Sequence, residues 1–376
     1  MGIKGDGTSP APTAGAKDHA GANDGALKES SAGVAAGRRR FLAGAGLGLT
    51  GLGLAGAALG AIAAPGTAGA TDTPIGEKWW PSRWGPDDQA GASNHMTPEK
   101  TLAAVQQIRT GKVHSLGRVY EPEMPLFGER VFALRTPGMP TGGAFGDNKI
   151  IWNDEFLATE IGQVGTQFDG LGHIGVEAGA PGEQARRRLY NGVTMAEAAS
   201  PYGLKKLGVE NVKPFFTPGL LVDVMGLKGG MLEAGTEVTL ADLEAALERQ
   251  GLSVDAIAPG DVVMIRTGWG LLWKEDNARY NNGAPGIGLE VARYLAERQV
   301  SLVGADTWGV EVVPNPDSTQ AFPVHQELLV RHGIYLQENL DFESLAADGT
   351  WQFAYVFAPL PIKGATGSPG NPLAVT

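Results

Sequence analysis

Between Gly219 and Glu338, short apolar runs alternate with longer stretches of helical periodicity, an order that few folds accept. Residues 219–224, 261–267, 300–305 and 334–338 read as strands; residues 239–250, 289–298 and 323–331 read as helices. Thr239 and Asp242 supply a capping box, and Gly251 and Gly333 stand where helices stop. Thr97-Pro98, followed by Leu102, Val105 and Ile108, predicts a further helix running to Gly111. The pattern is that of an α/β fold. No linker rich in Pro, Ser or charge divides residues 76–372, so one domain without internal repeats is expected.

The first seventy residues differ in character. Residues 1–37 are mostly Gly, Ala, Ser and Asp, which predicts disorder. Arg38, Arg39 and Arg40 then lead into an uncharged Gly/Ala/Leu stretch to Ala64, with the small triplet Ala68-Gly69-Ala70 behind it. Basic region, apolar region and A-x-A-like cleavage site are the parts of a twin-arginine export signal, here residues 38–70. The competing reading is a membrane-spanning helix, and so much glycine weakens it. The expectation is therefore a periplasmic or secreted protein whose functional domain spans residues 71–376.

Composition removes several function classes. With 30 Lys+Arg against 41 Asp+Glu, a net charge of −11, the chain lacks the basic surplus that nucleic acid or an anionic membrane would demand. It has no cysteine, which excludes disulfide scaffolds, thiol nucleophiles and thiolate metal sites together. Any metal must sit on His, Asp, Glu or an amide oxygen. No G-x-S-x-G elbow occurs, which argues against a serine hydrolase.

Chemistry concentrates between Gln163 and His173. If that run is extended, Gln163, Gly165, Gln167 and Asp169 share one face, with Val164, Thr166 and Phe168 on the other. Two amides and a carboxylate can line a site, or they can be the outward face of a solvated edge strand. His325 and Glu338 lie in segments apolar enough to be buried, where both need partners or a metal. His95, His114 and His332 stand in polar or loop contexts and carry no such signal.

Taken with the segments around them, these residues give the chain a family likeness. It resembles the cyclase-family metal-dependent hydrolases, the group that includes bacterial kynurenine formamidase and isatin hydrolase. Of the signature H-x-G-T-H-x-D-x-P-x-H, Gly165, Thr166, Asp169 and His173 match, while Gln163, Gln167 and Leu171 replace two histidines and the proline. Further matching segments are Trp84 to Asp88, Gly260-Asp261, Arg266 to Trp269, Gly304 to Trp308, Pro359-Leu360 and Gly367 to Pro369.

The resemblance implies a cyclase-like (swivelling β/β/α) single domain with a mixed sheet, assembled as a homodimer or homotetramer. It also implies a divalent metal, Zn or Mn. Its ligands, carried over position by position, are Gln163, Gln167, Asp169, His325 and Glu338, with His173 in the acid/base place. A glutamine offers only a neutral amide oxygen, so a single ion centred on Asp169, His325 and Glu338 is expected rather than a binuclear site. The implied activity is hydrolysis of an amide, lactam, lactone or ester of a small cyclic or aromatic molecule by metal-activated water. Trp84 and Trp308 are candidate substrate-binding residues. The alternative is an exported, non-catalytic small-molecule binding protein with a degenerate metal site.

Overall fold

The computed structural model describes residues 75–178 and 187–376. The predicted disordered region and export signal lie outside them. Among the described residues, no helix is long and apolar enough to cross a membrane.

Among the described residues, nine strands form the main sheet. In chain order they are β1 (Val113–Ser115), β2 (Gln167–Asp169), β3 (Phe215–Asp223), β4 (Val262–Arg266), β5 (Leu302–Ala305), β6 (Tyr335–Glu338), β7 (Gln352–Phe357), β8 (Gly367–Pro369) and β9 (Leu373–Val375). Their spatial order is β1-β9-β7-β3-β4-β5-β6-β2-β8. The central four, β3 to β6, are parallel, and all other pairings are antiparallel. The fold is α/β with a mixed sheet.

Parallel strands covered on both faces must be apolar throughout, which is why the central strands read as unbroken hydrophobic runs. Every residue of β5 and β6 is buried, and all of β4 but Arg266. Each parallel crossover carries a helix: α2 (Leu240–Arg249), α3 (Leu289–Glu297) or α4 (Pro323–His325), the last continuing as a π-helix over Gln326–His332. Thr239 caps α2 as its sequence predicts, accepting from the Asp242 amide at 3.2 Å while Asp242 Oδ2 accepts from the Thr239 amide at 3.1 Å. α2 buries Leu243, Ala246 and Leu247, and α3 buries Val291, Ala292, Leu295 and Ala296. Burying a leucine is worth about 1.5–3 kcal/mol, so these stripes hold the helices in place. α2 packs against α3, and α3 against the π-helix.

Two expectations need correction. The helix after Thr97, α1 (Pro98–Val105), begins at its predicted cap but stops well short of Gly111. Leu102 and Val105 are 64% and 43% exposed, so the apolar spacing that suggested a longer helix does not face the core. The Gln163–Asp169 run is extended only over β2, because Gly165 adopts a left-handed φ of +60°. A Cβ there would lie 2.5 Å from the Tyr120 ring, and the Tyr120 hydroxyl donates to the Thr166 carbonyl. Glycine is thus required at that turn.

Two small hairpin sheets had no forecast from sequence. Phe132–Arg135 pairs with Phe156–Thr159, and Gly142–Phe145 pairs with Ile150–Trp152. Their large apolar side chains are outside: Phe145 is 72% exposed, Phe156 65% and Ile151 56%.

Candidate metal centre

β2 lies antiparallel to β6, with Gln167 opposite Glu338 and Asp169 opposite Leu336. The two-residue period turns Gln167 and Asp169 to one face and sends Phe168 into the core, where its ring stacks on Tyr335 at 4.8 Å. Glu338 ends β6, at the carboxyl end of the parallel strands where open α/β sheets place their ligands. His325 comes from α4, whose entry at Phe322 has a left-handed φ of +52°. Val310 (+56°) and Asn339 (+58°) adopt the same conformation beside Glu311 and Glu338. Such backbone costs about 1–3 kcal/mol per residue, and here it aims the side chains of the centre.

Asp169, His325 and Glu338 converge, all three buried, with one donor atom of each within 4.8 Å of the others. His325 Nε2 stands 3.3 Å from Glu338 Oε1 and 3.7 Å from Asp169 Oδ2. The remaining oxygens are occupied: the Gln163 amide donates to Asp169 Oδ1 at 2.9 Å, and the Gln167 amide donates to Glu338 Oε2 at 2.5 Å. Each carboxylate is therefore tied by one oxygen and turns the other toward His325. Asp169 Oδ2 is buried without a hydrogen-bond partner. A buried, unpartnered carboxylate oxygen beside a second carboxylate and an imidazole fits a divalent cation.

Glu311 orients His325. Fully buried, it accepts from His325 Nδ1 at 2.5 Å and from the His325 and Val324 amides at 2.9 and 3.2 Å. With Nδ1–H committed to Glu311, Nε2 faces the carboxylates and is the ring atom a cation would take once its proton is displaced. Burial alone would depress the His325 pKa, but the bonds from Glu311 and Glu338 override it and raise it. Burial and the Asp169 charge push the Glu338 carboxyl up. The cluster thus holds protons that a divalent cation would displace.

The two glutamines differ from their expected role. Gln163 Oε1 accepts from the Arg130 guanidinium at 3.2 Å while its nitrogen meets Asp169. A guanidinium can only donate and a carboxylate only accept, so this orientation is forced. Both glutamines present nitrogen to the centre and brace its carboxylates instead of offering oxygen. His173 Nε2 lies 3.8 Å from Asp169 Oδ1. Burial depresses its pKa, with Asp169 opposing and His325 and Arg130 assisting.

A cavity of about 190 Å³ opens on the centre, with His173, His325 and Glu338 on its polar side. Trp308 lines it, stacked on Phe127 at 4.5 Å and edge-on to Phe322 at 6.2 Å. Trp84 does not line it; that ring packs edge-on against His95 at 4.9 Å. His114 bonds to Ser344 and His332 to Glu327, so neither reaches the centre. Several motif residues prove architectural. Asp306 accepts from the Thr267 amide and hydroxyl and the Gly268 amide at 2.7–2.9 Å, and Asp88 gathers Tyr190, Asn94 and two backbone amides. Glu311, Arg130, Phe127 and Phe322 had no forecast. A lone carboxylate inside the apolar run Val310–Val313 was the available signal for Glu311.

Comparison with known families agrees with this architecture. The Cyclase model, described as "Putative cyclase", matches residues 114–312. The chain belongs to the cyclase family. A crystal structure described as a novel cyclase shares 35% identity, with a TM-score of 0.68 over 78% of this chain and 98% of its own. Two isatin hydrolase A structures share the cyclase-family fold at lower identity. That from Ralstonia solanacearum has 23% identity and a TM-score of 0.51, over 74% of this chain and 97% of its own. That from Labrenzia aggregata, bound to benzyl benzoate, has 21% identity and a TM-score of 0.50, over 72% and 94%. No curated protein matches the chain.

Proposed function

We propose that this cyclase-family chain is a single-metal hydrolase that cleaves an amide, lactam, lactone or ester bond of a small cyclic or aromatic molecule. The observation that carries the reading is the convergence of Asp169, His325 and Glu338, the last two lining a cavity that His173 also lines. The isatin hydrolases that share the fold hydrolyse, by name, a molecule of this class. When bound, a divalent ion supplies Lewis acidity and lowers the pKa of water toward neutrality. Two carboxylates and one imidazole suit Zn²⁺ or Mn²⁺. The chain's own residues do the rest. Gln163 and Gln167 hold the carboxylates in register, and Glu311 fixes the His325 tautomer. His173, kept neutral by burial, takes a proton at Nε2 and returns it to the leaving group. Phe127 and Trp308 give one side of the cavity an aromatic wall.

The proposal includes export through the twin-arginine segment and assembly into a homodimer or homotetramer. The exposed apolar side chains of the hairpins support assembly. Elemental analysis of dialysed protein, paired with a hydrolysis screen over isatin, phthalide, formanilide and phenyl acetate, tests the central claim. The expected result is one divalent ion per chain and turnover of at least one carbonyl class. A metal-replete protein inert toward all four classes would instead support a non-catalytic binding protein.

A further inference from the structure

Among the described residues, Arg130 is the only Lys or Arg lining the cavity. It is half-buried, its guanidinium carbon 5.5 Å from the centroid of Phe127. A guanidinium carries five N–H donors, and Arg130 spends one on Gln163. Among the described residues no carboxylate pairs with it, whereas Arg118 pairs with Asp341 and Arg266 with Asp223 and Glu343. The remaining donors of this half-buried cation are free to take a ligand acceptor in the cavity.

Its position says which acceptor. Two hydrogen bonds and the Gln163 amide separate the guanidinium from Asp169, so a group held by Arg130 is not the one held at the centre. Between the two, contacts run from Arg130 to Phe127, Trp308, Phe322 and His325, an aromatic wall with polar groups at both ends. A cavity of about 150 Å³ accepts a benzene ring, so the 190 Å³ here has room for one substituted ring.

We propose that Arg130 binds a second, anionic group of the ligand, so that the cavity selects planar aromatic carboxylates. The fork of the guanidinium matches a carboxylate with two parallel charge-assisted bonds, a geometry a lysine cannot reproduce. The ring lies along Phe127 and Trp308, and the reacting carbonyl points to Asp169, His325 and Glu338. This inference rests on the hydrolase reading only for its reacting end.

Calorimetric titration of the metal-loaded full chain with benzoate and with benzyl alcohol tests it. Benzoate should bind more tightly than benzyl alcohol. Arg130→Met should weaken benzoate at least about tenfold more than it weakens benzyl alcohol, with Arg130→Lys in between. Equal benzoate affinity in wild type and Arg130→Met would place the carboxylate elsewhere and overturn the proposal, as would no preference for benzoate. In kinetics, Arg130→Met should lower kcat/KM for 4-acetoxybenzoate at least about tenfold more than for phenyl acetate, which lacks the carboxylate. If neither ester turns over, the hydrolase reading fails on those substrates while the titrations still decide Arg130.

Discussion

Replacing Glu311 with Gln tests the centre without touching a ligand. Glu311 Oε1 accepts from both the His325 amide and Nδ1, while Oε2 accepts from the Val324 amide. A glutamine of the same shape has one oxygen. If that oxygen takes the Oε1 place, the new NH₂ faces the Val324 N–H, donor against donor. If it takes the Oε2 place, NH₂ faces His325, and Nδ1 must become the acceptor. The ring proton then moves to Nε2, toward the carboxylates. Loss of such an orienting partner costs ten- to a hundredfold in metal affinity, or about 1.4–2.7 kcal/mol. The weaker hold on the His325 proton works the other way. Chelator competition from pH 7 to 9 separates the two, since proton competition shrinks with pH and a wrong tautomer does not. Cobalt absorption spectra of the loaded protein report the altered ligand geometry directly. A folded Glu311→Gln protein with wild-type affinity and spectrum would refute the orienting role.

Four further outcomes follow from the same geometry. His173→Ala should keep its metal and lose roughly 10²–10⁴-fold in kcat, checked by elemental analysis beside steady-state rates; unchanged rates would remove its proton-transfer role. Gln163→His with Gln167→His should raise the metal content above that of wild type, because two imidazoles would replace two hydrogen-bond donors; an unchanged stoichiometry would count against the bracing role. Burial, with Arg83 and Lys100, pushes His95 down to about 4, so the unfolded chain binds more protons between pH 6.5 and 4. Stability should therefore fall as the pH is lowered through that window, and His95→Gln should flatten the difference in urea midpoint between pH 7 and pH 5. Arg38→Lys with Arg39→Lys should leave uncleaved precursor in the cytoplasm, and normal amounts of exported, processed protein would exclude the twin-arginine reading.

What the sequence disclosed follows burial. The strands and helices from Gly219 to Glu338 were legible because parallel strands covered on both faces carry unbroken apolar runs, and α2 announces itself through Thr239 and Asp242. The hairpins between Phe132 and Thr159 were not, because their strands are short and their large apolar side chains face outward, against the pattern that signals a strand. Asp169 stood out as the carboxylate of a polar face shared with Gln163 and Gln167, and His325 and Glu338 as charges in apolar surroundings. Glu311 carried the same signal, but its contact with His325 crosses a loop that sequence spacing does not reveal. Arg130 and Phe127 reach the cavity from a part of the chain with no readable periodicity. Gln163 and Gln167 were legible as site residues, yet which end of an amide faces the centre depends on Arg130 and the carboxylates around them.

The antiparallel pairing of β2 with β6 also makes the centre a gauge of strand register. Gln167 and Glu338 are 171 residues apart in the chain, so the donors meet only after a long-range contact has formed. A slip of one residue would exchange Asp169 and Gln167 for Phe168 on the face toward Glu338. Because pairings between distant segments tend to form slowly, resistance of a bound ion to chelator should appear only at the end of refolding, when this ladder closes.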